Sequence, residues 1–227
     1  MLVSHTHKFI FLKTPKAAGT SVEISFERFC RPDPQNIAHG TDEIQSDVGI
    51  VGARIPVSRR AGRSSYWNHM TARELRDAVK PKIWADYLKF CPIRNPYDQT
   101  VSLFWMRLDK DMRITMALHE PAALRDAFHR WLKKEEAPLN PSRNYWSIDG
   151  VIVVDCVLRY ETLEADVQML CQKIDARYAP LGTYKTNIRK SPLPFQAYYD
   201  PASADRVRAA YDLEFEQFGY APDSWMA

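Results

Sequence analysis

The chain has 227 residues, a length that suits a single α/β domain over residues 1–227. Its 31 basic and 28 acidic side chains give a formal net charge of +3, which does not favour general nucleic-acid binding. The sequence shows no signal peptide and no apolar stretch of the roughly 18–20 residues that cross a bilayer, so we expect a cytoplasmic protein without a membrane span. Four scattered cysteines indicate free thiols, three of them in the core, in a reducing compartment.

The first motif is an apolar run that leads through small residues into a helix. Phe9–Leu12 predicts the first strand, and residues 19–31 predict a helix. A strand, a tight loop and a helix start present free N–H groups and the positive end of the helix dipole to an anion. We therefore predict a loop for phosphate or sulfate, the alternative being an ordinary connection with surface lysines. Its candidate residues are Lys16, Ala17, Ala18, Gly19, Thr20 and Ser21.

A long irregular segment, residues 32–68, follows the first helix. It carries arginines that could receive an acidic acceptor, although a solvated charged loop is the favoured interpretation: Arg54, Arg59, Arg60 and Arg63. Thr71 and Glu74 then form a capping box, which predicts a helix start at Thr71. His69 therefore lies on a loop just before this helix, where its imidazole can project into a cleft. A surface or cap-region histidine is the alternative.

A second strand and helix start follow at residues 87–98. Tyr87–Ile93 predicts the strand, and the helix start is marked by Asn95, Pro96 and Asp98. Arg94 stands at the carboxyl end of the strand, where open α/β sheets bind ligands. Ser102 follows about two turns along the helix, and a guanidinium with a hydroxyl suits a phosphate monoester. The alternative is that Arg94 only pairs with a carboxylate of the fold.

The remaining pattern alternates strands with helices. The runs Gly150–Val154 and Val157–Tyr160 predict one or two further strands, and predicted helices are Glu120–Glu136, Glu161–Arg177 and Pro201–Phe218. A basic loop, Asn187–Ser191, precedes the final helix. The aromatic residues at helical spacing are predicted to be core, and for four further aromatics core packing and contact with an acceptor ring are both open: Tyr66, Trp67, Trp105 and Tyr145.

Together these residues resemble sulfotransferases that use 3′-phosphoadenosine 5′-phosphosulfate (PAPS), closest to the family 2 carbohydrate sulfotransferases. Residues 13–21 resemble the family's 5′-phosphosulfate loop. Arg94–Asp98 and the following Val101–Phe104 resemble its 3′-phosphate motif. Residues 157–163 resemble a later strand–helix junction, and residues 218–220 are similar to the usual ending.

The resemblance implies an α/β fold of the P-loop-like type, a three-layer sandwich with a central, mostly parallel sheet flanked by helices. It implies PAPS as co-substrate, 3′-phosphoadenosine 5′-phosphate (PAP) as product, and no metal. The acceptor is expected to be a hydroxyl of a small molecule or glycan, with residues 32–68 helping to shape the acceptor side. The oligomeric state stays open.

The resemblance also assigns roles to the candidate residues. Lys16, with the N–H groups of residues 18–21, would stabilise the bridging oxygen and the 5′-phosphate. Arg94 and Ser102 would bind the 3′-phosphate, and by weaker analogy Arg189 or Lys190 would close over it. His69 is the expected base, because a histidine suits proton removal near neutral pH, with His39 in reserve. The alternatives are a nucleotide or adenylyl-sulfate kinase, which the absent Gly-Lys-Ser/Thr ending disfavours, and a non-catalytic nucleotide-binding module.

Overall fold

A computed structural model describes residues 1–54, 64–134, 139, 142–184 and 188–226. The chain divides into two compact units. The first comprises Met1–Ile93 and Ser142–Tyr184, and the second comprises Arg94–Pro141 and Lys185–Ala227. The single domain expected from the sequence stays a prediction.

The described residues form the following elements. The strands are β1 (Leu2–Ser4), β2 (Phe9–Phe11), β3 (Ile44–Gln45), β4 (Gly49–Val51), β5 (Leu88–Ile93), β6 (Ser147–Ile148), β7 (Val151–Ile152) and β8 (Cys156–Arg159). The helices are α1 (Gly19–Glu27), α2 (Ala72–Ala78), α3 (Pro81–Asp86), α4 (Pro96–Arg107), α5 (Lys110–Ala117), α6 (Pro121–Leu132), α7 (Arg143–Trp146), α8 (Leu163–Lys173), α9 (Pro201–Ala210) and α10 (Asp212–Phe218). No helix in these ranges is long and apolar enough to span a bilayer.

The first unit is built on a six-stranded sheet in the order β3-β4-β1-β2-β5-β8. Strands β2, β5 and β8 are parallel neighbours, whereas β1 pairs antiparallel with both β2 and β4, so that four of the six strands point the same way. The predicted α/β class with a central, mostly parallel sheet and flanking helices is confirmed at this level. The three-layer, P-loop-like detail stays a prediction.

The core of this unit lies between the sheet and helices α1 and α8. Phe9 and Phe90 are fully buried on neighbouring parallel strands, with ring centroids 5.5 Å apart. Phe26 of α1 contacts both rings, and Leu170 of α8 belongs to the same buried cluster. Strands buried in this way read as continuous apolar runs, which is why the sequence identified β2 and β5.

Several boundaries differ from those expected. Strand β1 lies before the predicted first strand, and β3 and β4 lie inside the segment expected to be irregular. The run expected as the strand Gly150–Val154 contributes only β7, which pairs with β6 in a separate hairpin. Helix α1 ends at Glu27 rather than Arg31, because the N–H groups of Phe29 and Cys30 bond three residues back in a tightened last turn.

The second unit has a core of aromatic side chains. The rings of Phe104, Phe128 and Tyr199 make edge contacts, and Trp105 donates its indole N–H to the hydroxyl of Tyr198 at 3.1 Å. The aromatics at helical spacing are thus confirmed as core, and so is Trp105, which is fully buried. The single helix expected over residues 201–218 is wrong, because Tyr211 leaves the helical conformation and separates α9 from α10. The expected end of the helix over residues 120–136 lies outside the described residues.

Candidate functional site

The loop between β2 and α1 has an unusual backbone. Lys16 and Ala18 adopt left-handed conformations, with φ of 61° and 58°. Such a conformation costs a residue with a side chain on the order of 1–2 kcal/mol, and non-glycine residues held in it cluster at functional sites. Left-handed residues that alternate with ordinary ones form concavities in which backbone N–H groups bind anions.

The helix that follows this loop begins with N–H donors that have no acceptor in the part of the chain that the structure describes. Ala18 is the N-cap and offers no side-chain hydrogen bond, and no described residue accepts from the N–H groups of Gly19 or Thr20. The Ser21 N–H, in contrast, donates to the Ala18 carbonyl at 2.9 Å. The expected role of the N–H groups of residues 18–21 stays a prediction, and the Ser21 N–H is already engaged within the turn. Gly19 and Thr20 remain as donors at the positive end of α1.

Gly19 is required by the packing under the loop. A methyl group at this position would lie 2.9 Å from Cγ of Lys13 and 3.1 Å from the backbone oxygen of Thr14. The first distance is shorter than real Cβ contacts, so any larger residue would push the Lys13 side chain or the loop away. The small residue thus lets α1 begin directly over the side chain of Lys13.

That side chain belongs to a buried cluster of charges. Nζ of Lys13 lies 2.6 Å from Oε2 of Glu23, whose side chain is fully buried on α1. The Met1 amino group lies 2.9 Å from the other oxygen of Glu23 and also donates to the Asn68 carbonyl at 2.8 Å, and burial lowers its pKa from 8.0 to about 6. Burial by itself would raise the pKa of Glu23, but these cations and Arg54 hold it below its ordinary value. The cluster therefore keeps an ionised carboxylate beneath the anion loop.

Arg54 belongs to this cluster and not to a solvated loop. It pairs with Glu27 and donates to the carbonyls of Ala38 and His39 at 2.8 and 3.0 Å. Its side chain is almost fully buried. Both sequence interpretations of Arg54, a solvated charge and a receiver of an acidic acceptor, are therefore wrong. Three other members of the predicted arginine group lie outside the described residues: Arg59, Arg60 and Arg63.

His69 is attached to the same loop. Its Nδ1 lies 3.1 Å from the backbone oxygen of Lys13. Since a carbonyl only accepts, Nδ1 carries the proton and Nε2 is left as the basic nitrogen. Burial, and after it the positive charges of Lys13 and the Met1 amino group, lower the pKa of His69 from 6.5 to about 4. The imidazole is therefore neutral near pH 7 and in the tautomer of a base.

The surroundings of His69 fix its position. The Thr71 hydroxyl accepts a hydrogen bond from the Glu74 N–H, and the Glu74 carboxylate accepts one from the Thr71 N–H. The predicted capping box is therefore confirmed. The Tyr145 ring stands edge-on to the imidazole at 6.3 Å. No described residue forms a hydrogen bond with Nε2.

The other histidines of this unit have different surroundings. His39 is exposed and stands 6.3 Å from the Tyr184 ring. His5 and His7 bond through Nδ1 to the Tyr87 hydroxyl and the Ile174 carbonyl. None of the three is bonded to a described residue of the loop, which leaves His69 as the histidine that the fold joins to it.

The second group of candidate residues lies in the second unit. Asn95 caps α4 by accepting from the Tyr97 N–H at 3.0 Å, with Pro96 in the first turn, as predicted. Nε and Nη2 of Arg94 lie 2.8 and 2.6 Å from Oδ2 of Asp98. Nη1 of Arg189 lies 3.1 Å from Oδ1 of the same carboxylate. The structure thus brings together two arginines that are 95 positions apart in the sequence.

The remaining candidates of this unit lie close to that pair in sequence. Ser102 is one helical turn beyond Asp98, so both occupy the same face of α4, and no described residue bonds its hydroxyl. Lys190 is exposed. Asn187, the first residue of the predicted basic loop, lies outside the described residues.

Three contributors were missed from the sequence: Lys13, Glu23 and Asp98. Asp98 was identified as part of a helix start and of the motif that resembles the 3′-phosphate motif, and no role was assigned to its side chain. Glu23 had a detectable signal, because it follows Val22 on a helix whose neighbouring residues are mostly apolar. Such a residue in a core helix is usually paired.

The four free cysteines agree with expectation, and three of them are buried: Cys30, Cys91 and Cys171.

Comparisons with known proteins bear on the identity of this site. A family model described as the sulfotransferase family matches residues 1–221. An uncharacterized protein of Archaeoglobus fulgidus is 29% identical over 115 residues, which cover 46% of this chain and 82% of the relative. No solved structure gave a significant match. Because the family model covers nearly the whole chain, the resemblance to the family 2 sulfotransferases is confirmed, and the chain belongs to the sulfotransferase family.

Proposed function

We propose that this protein transfers a sulfuryl group from PAPS to a hydroxyl acceptor, with His69 as the general base. The observation that carries the proposal is the hydrogen bond from Nδ1 of His69 to the backbone oxygen of Lys13. It joins a neutral imidazole, in the tautomer of a base, to the loop that presents unsatisfied N–H groups. A base joined to an anion-binding loop is what sulfuryl transfer to a hydroxyl requires.

The residues of the loop fit the 5′-phosphosulfate end of the donor. The Gly19 and Thr20 N–H groups, which no described residue accepts from, supply donors, and the half-buried Lys16 supplies a positive charge. Two hydroxyl groups are also offered by the loop, from Thr20 and Ser21. The small side chains of Ala17 and Ala18 leave its backbone uncovered.

The residues of the second unit fit the 3′-phosphate. Arg94 and Arg189 offer guanidinium groups held at one carboxylate, and Ser102 offers a hydroxyl one turn along the same face. Guanidinium groups bind phosphate through paired N–H bonds, which suits a phosphate that ATP and adenylyl sulfate lack. Lys190 is proposed as an additional cation. Each end of the donor is assigned from the geometry of one unit.

The chemistry of transfer follows from these roles. Bound PAPS supplies an electrophilic sulfur joined to a phosphate that leaves with the bonding electrons. Nε2 of His69 accepts the proton of the acceptor hydroxyl as its oxygen bonds to sulfur. Lys16 and the N–H groups of Gly19 and Thr20 stabilise the charge that develops on the leaving oxygen. Catalysis is thus positioning and electrostatic stabilisation, and we propose that it needs no metal.

We propose a carbohydrate hydroxyl as the acceptor, because the chain belongs to the sulfotransferase family. Its motifs most resemble those of the family 2 carbohydrate sulfotransferases. The Tyr145 ring beside His69 is suited to pack against an acceptor ring. The same site would also accept a hydroxyl of another small molecule, so acceptor screening should begin with sugars and continue to phenols.

The donor assignment is tested by calorimetric titration with PAP, 5′-AMP and ATP in buffer without added divalent metal. We expect PAP to bind more tightly than either competitor. In Arg94→Ala we expect the PAP affinity to fall at least about tenfold, because hydrogen bonds to charged groups contribute about 1.5–3 kcal/mol each. Arg107→Ala, which removes an exposed arginine at the other end of α4, is the matched control. Tighter binding of ATP would favour a kinase, and no binding of any nucleotide would refute the donor site.

A further inference from the structure

One carboxylate holds the two arginines of the second unit. Asp98 uses Oδ2 for Arg94, at 2.8 Å from Nε and 2.6 Å from Nη2, and Oδ1 for Arg189, at 3.1 Å from Nη1. The three side chains are between 12% and 22% exposed, so their interaction is only partly screened by water. Fully exposed ion pairs contribute little to folding stability. Partly buried ion pairs are screened less by salt, and a shared carboxylate restrains the side chains that it joins.

Arg189 is held from further directions. Its Nη2 donates to the Leu193 carbonyl, and its guanidinium lies 5.4 Å from the centre of the Tyr198 ring. That ring is fully buried and is itself fixed by the indole of Trp105. Its Nε is buried and has no hydrogen-bond partner among the described residues. Arg189 is therefore a restrained side chain with an unused donor.

Two guanidinium groups repel each other, and each loses rotamer freedom when it is held in place. A carboxylate between them offsets the repulsion and sets both side chains in place before a ligand arrives. Because two cations share one anion, the cluster keeps a net positive charge. Asp98 also lies one turn from Ser102 on the same face of α4, which places this charge beside a hydroxyl.

We propose that Asp98 is a positioning residue, which holds Arg94 and Arg189 as one phosphate-binding pair and thereby sets the preference for a nucleotide with a 3′-phosphate. The inference rests on the proposed function, because it assumes that this pair binds the 3′-phosphate of the donor. It makes a counterintuitive prediction. Removing a negative charge beside an anion site should strengthen phosphate binding by simple electrostatics, yet here it should weaken it.

The test compares wild type with Asp98→Asn, which keeps the shape of the side chain and removes its charge. The readout is the ratio of the dissociation constants of 5′-AMP and PAP, measured by calorimetry. We expect this ratio to fall about tenfold, because without the carboxylate the two guanidinium groups repel each other and are no longer held together for the phosphate. The 5′-AMP constant itself should stay unchanged. Asp126→Asn, which makes the same charge change at an exposed position of α6, should leave the ratio as in wild type.

The outcomes separate this inference from the proposed function. Wild type that does not prefer PAP to 5′-AMP refutes the donor site itself. Wild type that prefers PAP, with an unchanged or increased preference in Asp98→Asn, overturns the positioning role and leaves the donor site standing. If Asp98→Asn does not fold, Asp98→Glu is measured, which keeps the charge but shifts the carboxylate. A lower ratio in that variant supports the role, and an unchanged ratio overturns it.

Discussion

Acidification should destabilise the protein through His69. Burial, together with the charges of Lys13 and the Met1 amino group, lowers the pKa of this residue from 6.5 to about 4. The unfolded chain therefore binds a proton on this side chain at a pH where the folded chain does not. The stability that results is complete above pH 6.5, falls as the pH drops below that value, and stops falling near pH 4.

The magnitude follows from the two pKa values. Each pKa unit corresponds to about 1.4 kcal/mol, so the whole shift represents about 3 kcal/mol. Between pH 7.5 and pH 5, linkage gives a loss of about 2 kcal/mol from this one residue. The lowered pKa of Glu23 does not enter this window, because its contribution is lost only as the pH falls below the ordinary value of 4.5. The Met1 amino group, whose pKa is lowered from 8.0 to about 6, does lose stability in this window, so the total loss in wild type exceeds that from His69.

The assay is urea unfolding at several pH values, followed by tryptophan fluorescence, in wild type and His69→Asn. Asparagine keeps an N–H that can donate to the Lys13 carbonyl but does not titrate, so the difference between the two proteins isolates the imidazole. We expect that difference to change by about 2 kcal/mol between pH 7.5 and pH 5. An NMR titration of the His69 ring measures the pKa directly. Parallel pH profiles, or a ring pKa near 6.5, would refute the reasoning.

Three further predictions concern the same loop. Gly19→Ala should destabilise the protein by about 1–3 kcal/mol and weaken PAP binding, because the new methyl group meets the Lys13 side chain. Urea unfolding and calorimetric titration with PAP check this prediction. The control is Gly40→Ala, where the atom nearest to the new methyl group lies 3.4 Å away. Glu23→Gln should cost about 3–5 kcal/mol in urea unfolding, since it leaves buried cations without their carboxylate, whereas the exposed Glu216→Gln should be nearly neutral. Saturation with PAP should raise the NMR pKa of His69, because a bound anion offsets the cations that lower it, and an unchanged pKa would separate the histidine from the donor site.

The parts of the fold that the sequence predicted are those with a strong local signal. Strands β2 and β5 are continuous apolar runs, and the starts of α2 and α4 are set by capping residues next to them in the sequence. Hydrogen bonds between residues close in sequence determine where these helices begin, so a short stretch of sequence is enough to predict them.

The features that were missed depend on distant partners. Strands β3 and β4 are two or three residues long and exist because they extend the sheet edge at β1, which no local pattern records. Arg54 looks like a loop arginine, yet it is buried because Glu23 and Glu27 of α1 are there to receive it. The sharing of Asp98 by Arg94 and Arg189 likewise requires two segments to meet in space.

The central claim is sulfuryl transfer with His69 as the base. Its most direct test is to incubate the protein with sulfur-labelled PAPS and a panel of sugars and phenols, and to measure label in the acceptors for wild type and His69→Asn. We predict labelled product with wild type only, although both proteins bind PAP equally well. Equal transfer by His69→Asn would contradict the role of the histidine. Binding of PAP without transfer to any acceptor would contradict the enzymatic function and leave a nucleotide-binding module.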